Sequence, residues 1–154
     1  MYGLDKDIST NPEGVDAIWN VDKLGELLEI SDWFIVAAPY TSETHHVLNK
    51  DLLPSIKMGS RLIVLSRGGI VDELALIEML RSGRISGAAL DVTEIEPLPP
   101  DSPLWDHPNV VISPHVSALT SEMWDGRREI FKENLRRFLS NKPFLYTCDK
   151  RRGY

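Results

Sequence analysis

Three short apolar runs, each ending abruptly in polar or glycine residues, constrain this chain more than any other feature. They are LIVLSRGG (62–69), GAALDVTEIEP (87–97) and NVVISPHVSA (109–118). Continuous apolar runs of this length read as parallel strands buried on both faces. In an open parallel sheet, ligands bind just beyond the carboxyl ends of the strands. Arg67, Asp91, Glu96 and His115 all lie just past such a run. Three strand ends would therefore bring an arginine, acids and a histidine to one edge. That is a carboxylate anchor with an acid-paired proton donor, the equipment for reducing a 2-oxo acid.

From residue 32 onward, strands and helices alternate. The strand candidates are 33–38, 62–66, 87–92 and 110–113, and the helical stretches are 22–30, 50–56 and 72–82. Gly83 stands at the natural end of the last of these. A final helix is expected over 120–140. Trp124, Phe131, Leu135 and Phe138 form its apolar stripe at helical spacing, which is expected to pack into the core. Thr120, Ser121 and Glu122 supply N-cap chemistry and an acid for its first turn. Pro97, Pro99, Pro100, Pro103 and Pro108 make the segment between the third and fourth strands an irregular connection. The order implies an α/β layered fold with mostly parallel strands.

The 154 residues suffice for one domain with a core, and 26% charged with 42% hydrophobic residues is ordinary for a globular protein. A formal charge of -6 leaves no basic stripe to neutralise phosphates, which argues against nucleic acid. The one basic cluster, Lys150-Arg151-Arg152, reads as a solvated tail. The single cysteine, Cys148, allows no internal disulfide and no metal-ligand spacing, so no metal is expected and a reducing, cytoplasmic setting is the default. No apolar run approaches the ~20 residues of a membrane span, and the N-terminus does not read as a signal peptide.

A dinucleotide-binding fold normally opens with a strand, then G-x-G-x-x-G, then a helix whose N-terminus holds the pyrophosphate. These residues contain no such motif. They open with Tyr2-Gly3-Leu4-Asp5, which reads as the tail of a strand ending in an acid. An acid at the end of the second strand is where a ribose 2′-hydroxyl is gripped. Asp5 is therefore a candidate on the adenosine side, set against the plain alternative of a loop aspartate.

Four motifs in this order carry a resemblance: APYTSET (38–44), SRGGIVD (66–72), GAALDV leading to Glu96-Pro97, and Ser113-Pro114-His115. The chain resembles the cofactor domain of the D-isomer-specific 2-hydroxyacid dehydrogenases, from Tyr2 to Tyr154. Its ending, Asp149 to Tyr154, looks like that of glyoxylate/hydroxypyruvate reductase-like members. The resemblance implies an incomplete Rossmann-like, doubly wound parallel sheet that lacks the first βα unit. It also implies that the substrate domain and glycine loop stand upstream, so that the chain is expected to be an N-terminally truncated part of a longer enzyme.

The resemblance assigns roles residue by residue. Arg67 matches the substrate-binding arginine, and a guanidinium suits a planar carboxylate. The two glycines after it are expected to let backbone approach a ligand. His115 matches the catalytic acid/base. Glu96 matches the acid that pairs with it, with Glu94 as the competing choice. Asp91 matches a residue that meets the nicotinamide carboxamide, against the alternative of a cap for the following turn. Pro39, Thr44, Ser66 and Ser117 would line the dinucleotide with Asp5. His45, His46 and His107 read as solvated or structural. The implied cofactor is NAD. Asp5 disfavours the 2′-phosphate of NADP, while neighbouring Lys6 weighs the other way. The implied partners are a small 2-oxo or 2-hydroxy acid and further copies of the chain, because the missing strand leaves an edge beside the 33–38 strand. Without the glycine loop, the isolated chain is expected to be inactive. Two other readings stay open: a folded, oligomerising remnant without dinucleotide, and an NAD-binding regulator of the corepressor type.

Overall fold

The computed structural model describes residues 1–6 and 11–151, so Arg152, Gly153 and Tyr154 of the expected reductase-like ending lie outside the described residues. The strands are β1 (Tyr2–Leu4), β2 (Ala17–Trp19), β3 (Trp33–Val36), β4 (Ser60–Val64), β5 (Ile85–Leu90) and β6 (Val110–Ile112). The α-helices are α1 (Leu24–Ile30), α2 (Glu73–Arg81) and α3 (Ser121–Leu139). Strands β3 to β6 form one parallel sheet in sequence order, and β1 pairs with β2 in a separate parallel pair. Strand β3 is the outer strand of its sheet among the described residues. No helix among them is long and apolar enough to cross a membrane.

Alternation along the strands decides which face is buried. Phe34, Val36, Leu62, Val64, Ala88 and Leu90 are buried and join Leu28, Leu53, Ile56, Leu76 and Leu80 in one core. Burying one such side chain is worth about 1.5–3 kcal/mol. Trp33, Ile35 and Val111 remain exposed, so one face of the sheet is covered and the other bare. On the bare face the Arg61 guanidinium lies 4.9 Å from the centre of the Trp33 ring.

The helix ends follow their cap chemistry. Asp72 accepts from the Ala75 amide, and Gly83, just past α2, adopts φ 73° as a helix-terminating glycine does. Thr120 accepts from the Met123 amide.

Four expectations need correction. The 50–56 stretch is no α-helix: after a turn, only Leu53–Ser55 form a 3₁₀ turn. Pro54 lacks an N–H to continue a ladder, and the three-residue spacing buries both Leu53 and Ile56 completely. The strands are not buried on both faces, as their continuous apolar runs implied: the face with Trp33, Ile35 and Val111 is bare, because no described element packs on it. Residues 17–19 form a further strand outside the alternation read from residue 32 onward. The α3 stripe does not enter the core: Trp124, Phe131, Leu135 and Phe138 are all exposed. What α3 holds is the tail after it. Asn134 exchanges two hydrogen bonds with the Leu145 backbone, and Phe138 stacks on Phe144. No other described element closes over the stripe, so its apolar side faces outward.

Candidate active site

The Pro-rich connection is irregular but anchored, with Leu98 and Leu104 buried. It starts in the segment just past β5, which carries Asp91, Glu94 and Glu96. The turn after β6 carries His115, and the turn after β4 carries Arg67. All three leave their strands at the carboxyl edge of the parallel sheet.

His115 and Glu96 meet. The ring Nδ1 lies 3.0 Å from Glu96 Oε2, and Glu96 Oε1 accepts from the Thr93 amide at 3.2 Å. A carboxylate only accepts, so Nδ1 carries the hydrogen and Nε2 is the nitrogen left to exchange a proton. Glu94 has different partners. Its Oε1 lies 2.8 Å from His46 Nε2, its amide donates to Glu73 at 3.1 Å, and its other oxygen accepts from the Glu73 amide at 3.4 Å. Burial pushes the Glu73 carboxyl up; the bond from the Glu94 amide opposes this and the Glu94 charge adds to it. His45 meets Tyr40 Oη at 2.9 Å through Nδ1 and stacks on His46.

Arg67 is exposed, and one terminal nitrogen donates to the Ser66 carbonyl at 2.6 Å. Among the described residues it has no carboxylate partner. It lines a cleft of about 470 Å³ together with Tyr40, His45, Gly68, Gly69 and the segment Thr93, Glu94, Ile95 and Glu96. The guanidinium and the acid that holds His115 therefore share one cavity.

The glycines after Arg67 serve packing inside the chain. A Cβ on Gly68 would lie 2.1 Å from the Thr93 carbonyl carbon and oxygen and 2.5 Å from the Glu94 amide. A Cβ on Gly69 would lie 2.9 Å from the Tyr40 ring. Gly68 lets the arginine turn and the acid loop touch, a reason that sequence spacing did not reveal.

Asp91 is buried, and its carboxylate is engaged within the chain. Oδ1 accepts from Ser113 Oγ at 2.5 Å and the Val116 amide at 2.9 Å, and Oδ2 from the Ser117 amide at 2.8 Å. Burial opposes its charge, but the hydroxyls of Ser113 and Ser117 and the amides of Val116 and Ser117 outweigh that and hold the carboxyl well below the usual carboxylate range. Ser113 was not singled out in the sequence, where only its place before Pro114-His115 marked it.

The remaining candidates are dispersed, with Asp5 beside the separate β1–β2 pair. Thr44 is tied into its own loop: its hydroxyl accepts from the Thr41 amide at 2.7 Å and donates to the Pro39 carbonyl at 2.7 Å. Pro39 itself is exposed. Ser117 Oγ reaches the Leu65 carbonyl only at 3.5 Å. Ser66 Oγ is buried without a hydrogen-bond partner. Asp5 follows β1, where its amide donates to the Trp19 carbonyl at 3.1 Å. No cluster of metal-ligating side chains occurs among the described residues.

Residues 2–117 match the family model for the D-isomer specific 2-hydroxyacid dehydrogenase NAD binding domain. A D-3-phosphoglycerate dehydrogenase of Bacillus subtilis is 50% identical over 120 residues, covering 78% of this chain and 23% of that protein. A glyoxylate reductase of Thermofilum pendens is 44% identical over 112 residues, covering 73% and 33%. The chain thus spans a third or less of these relatives. Among solved structures, an NADPH-dependent glyoxylate/hydroxypyruvate reductase of Sinorhizobium meliloti in complex with NADP and sulfate superposes with a TM-score of 0.88 at 31% identity, covering 99% of this chain and 49% of that one. A 2-hydroxyacid dehydrogenase of Xanthobacter autotrophicus in complex with NADPH and MES gives 0.85 at 36%, covering 99% and 62%.

Proposed function

The chain belongs to the D-isomer-specific 2-hydroxyacid dehydrogenase family, and we propose that it is the catalytic part of the cofactor domain of a cytoplasmic, homo-oligomeric, NAD(P)-dependent oxidoreductase acting on a small 2-oxo or 2-hydroxy acid. The observation that carries this reading is the His115–Glu96 pair at 3.0 Å, with Glu96 sharing a cleft with Arg67. Arg67 binds the substrate carboxylate through paired N–H groups. His115 delivers a proton from Nε2 to the carbonyl oxygen during reduction and recovers one in the reverse direction. Glu96 orients the ring by accepting from Nδ1. When bound, the nicotinamide cofactor supplies or accepts the hydride.

The residues present fit one end of that cofactor. Ser66 Oγ is a buried hydroxyl still lacking a partner, and Pro39, Thr44, Asp91 and Ser117 are the residues proposed to flank the dinucleotide with it. Asp5 is proposed to hold the adenosine ribose. None of these residues offers the glycine-loop amides that grip a pyrophosphate. Arg67 is the cationic guanidinium in a cleft that two glutamates also line. That balance suits a small monocarboxylate better than a substrate with a second anionic group.

Residues 1–154 by themselves are proposed to be inactive, because the contacts left to the cofactor are too few to offset its lost freedom on binding. Calorimetric titration with NAD and NADH should show no binding tighter than about millimolar. A chimera in which residues 1–154 replace the matching part of the Sinorhizobium meliloti reductase should reduce glyoxylate or hydroxypyruvate. If a well-folded, dinucleotide-binding chimera has no turnover, the dehydrogenase reading fails. Micromolar NADH binding by the isolated chain would overturn its proposed inactivity instead.

A further inference from the structure

His115 adopts φ 55°, the left-handed region that a side chain with a Cβ enters only when its surroundings hold it there. The contacts on both sides of it converge on one residue. Before it, Ser113 Oγ donates to Asp91 Oδ1 at 2.5 Å. After it, the Val116 and Ser117 amides donate to the two carboxylate oxygens at 2.9 and 2.8 Å. The His115 amide itself donates to the Asp91 carbonyl at 2.8 Å. Asp91 is fixed in turn, since its amide donates to the Val64 carbonyl at 3.0 Å, continuing the β4–β5 ladder. Five residues on, Glu96 takes the ring of the same histidine. One loop therefore grips His115 twice, by its backbone through Asp91 and by its imidazole through Glu96.

We propose that Asp91 is the positioning residue for His115: its carboxylate gathers the 113–117 turn and so sets the imidazole against Glu96, without any bound dinucleotide. This rests on the functional reading above for its catalytic meaning, though not for its test. It differs from the role expected from sequence, in which Asp91 acts on the nicotinamide. At 4% exposure, with both oxygens occupied from within the chain, the carboxylate does its work in the free protein. An ionised carboxylate suits this place, because each of its two oxygens faces a backbone N–H that can only donate. The depressed carboxyl pKa agrees with that. An asparagine would turn an N–H toward one of those donors and open the turn.

The test uses the 154-residue chain without cofactor, followed by nitrogen-15 NMR. In the parent, neutral His115 should carry its hydrogen on Nδ1, and the Val116 and Ser117 amides should be protected from exchange. Asp91→Asn should return the His115 ring to the Nε2-protonated form that free histidine favours. It should also speed exchange of the two amides by at least about tenfold, the signature of a local opening. The His46 and His107 rings and the β4 amides should keep their parent signals. If Asp91→Asn does not fold, Ser113→Ala decides, since it removes one of the three bonds and should move the same signals in the same direction. A folded Asp91→Asn chain, or failing that a Ser113→Ala chain, with an unchanged His115 ring overturns the proposal. An Asp91 acting only on a cofactor would leave these signals unmoved, and a general loss of stability would speed exchange of the β4 amides as well. Because no turnover is measured, the result stands apart from whether His115 delivers a proton.

Discussion

His115 is paired with Glu96 and not with Glu94: Nδ1 lies 3.0 Å from Glu96 Oε2, while Glu94 directs Oε1 to His46 Nε2 at 2.8 Å. Two acids separated by one residue thus serve two different histidines. In the chimera, Glu96→Gln should lower kcat for reduction, because an amide can turn its N–H toward the ring and no longer fixes the hydrogen on Nδ1. Glu94→Gln should leave kcat in place. The reverse pattern would exchange the roles of the two acids.

Arg67 and His115 should separate in kinetics. Arg67→Ala in the chimera should raise KM for the oxo acid, since a charge-assisted hydrogen bond is worth about 1.5–3 kcal/mol. His115→Ala should instead lower kcat by roughly 10²–10⁴-fold, the usual share of general acid–base catalysis. An unchanged KM in the first variant would remove Arg67 from substrate binding, and an unchanged kcat in the second would remove the proton from His115.

The junction between the arginine turn and the acid loop depends on Gly68. Its Cβ would fall 2.1 Å from backbone atoms of Thr93, which no side-chain rotation can relieve. Gly69 would meet only the Tyr40 ring, at 2.9 Å, on a side chain able to turn aside. Gly68→Ala should therefore destabilise the chain by about 3 kcal/mol, at the upper end of ordinary overpacking. Gly69→Ala should cost about 1 kcal/mol or less. Urea midpoints compare the two, and equal losses would count against this account of the junction.

The acid limb of stability should report Asp91. Its carboxyl is held well below the usual range in the folded chain, against about 3.9 for an unfolded aspartate. A depressed folded value contributes stability that is complete above the unfolded value and is lost as pH falls below it. Asp91→Asn should accordingly be less stable than the parent at pH 7, with the gap narrowing below about pH 4. A gap that stays constant from neutral to acid pH would mean that the charge of Asp91 contributes nothing to folding.

What the sequence made legible was local. The apolar runs of β3 to β6, the caps at Asp72 and Thr120, and the left-handed Gly83 all follow from neighbours a few residues away. The choice of Glu96 over Glu94 came from a motif, since two glutamates in one loop are equivalent to periodicity. The three bonds that occupy the Asp91 carboxylate were not legible, because Ser113, Val116 and Ser117 reach it from the turn after β6. Nor was the constraint at Gly68, which comes from Thr93 across the sheet edge. The α3 stripe misled for a related reason. Helical spacing of Trp124, Phe131, Leu135 and Phe138 defines an apolar face, but says nothing about which element covers it.

That uncovered surface favours association between chains. Ile35 and Val111 are 56% and 68% exposed on the bare side of the sheet, β3 is an outer strand, and Phe131 on α3 is 70% exposed. An unpaired strand edge offers free N–H and C=O groups to another chain, and apolar patches of this kind mark interaction surfaces or aggregation sites. Residues 1–154 should therefore self-associate in sedimentation experiments. Ile35→Lys puts a charge on the outer strand, a common natural guard against edge pairing, and should shift the distribution toward monomer. Phe131→Lys should shift it too if the helix face takes part. Neither change should cost much stability, because surface substitutions usually stay within about 0.5 kcal/mol. Leu28→Ala, by contrast, removes a fully buried side chain and should cost about 2–5 kcal/mol. A parent chain that stays monomeric at high concentration would show that the bare sheet face and the β3 edge are tolerated in water, and would remove the argument for an oligomer.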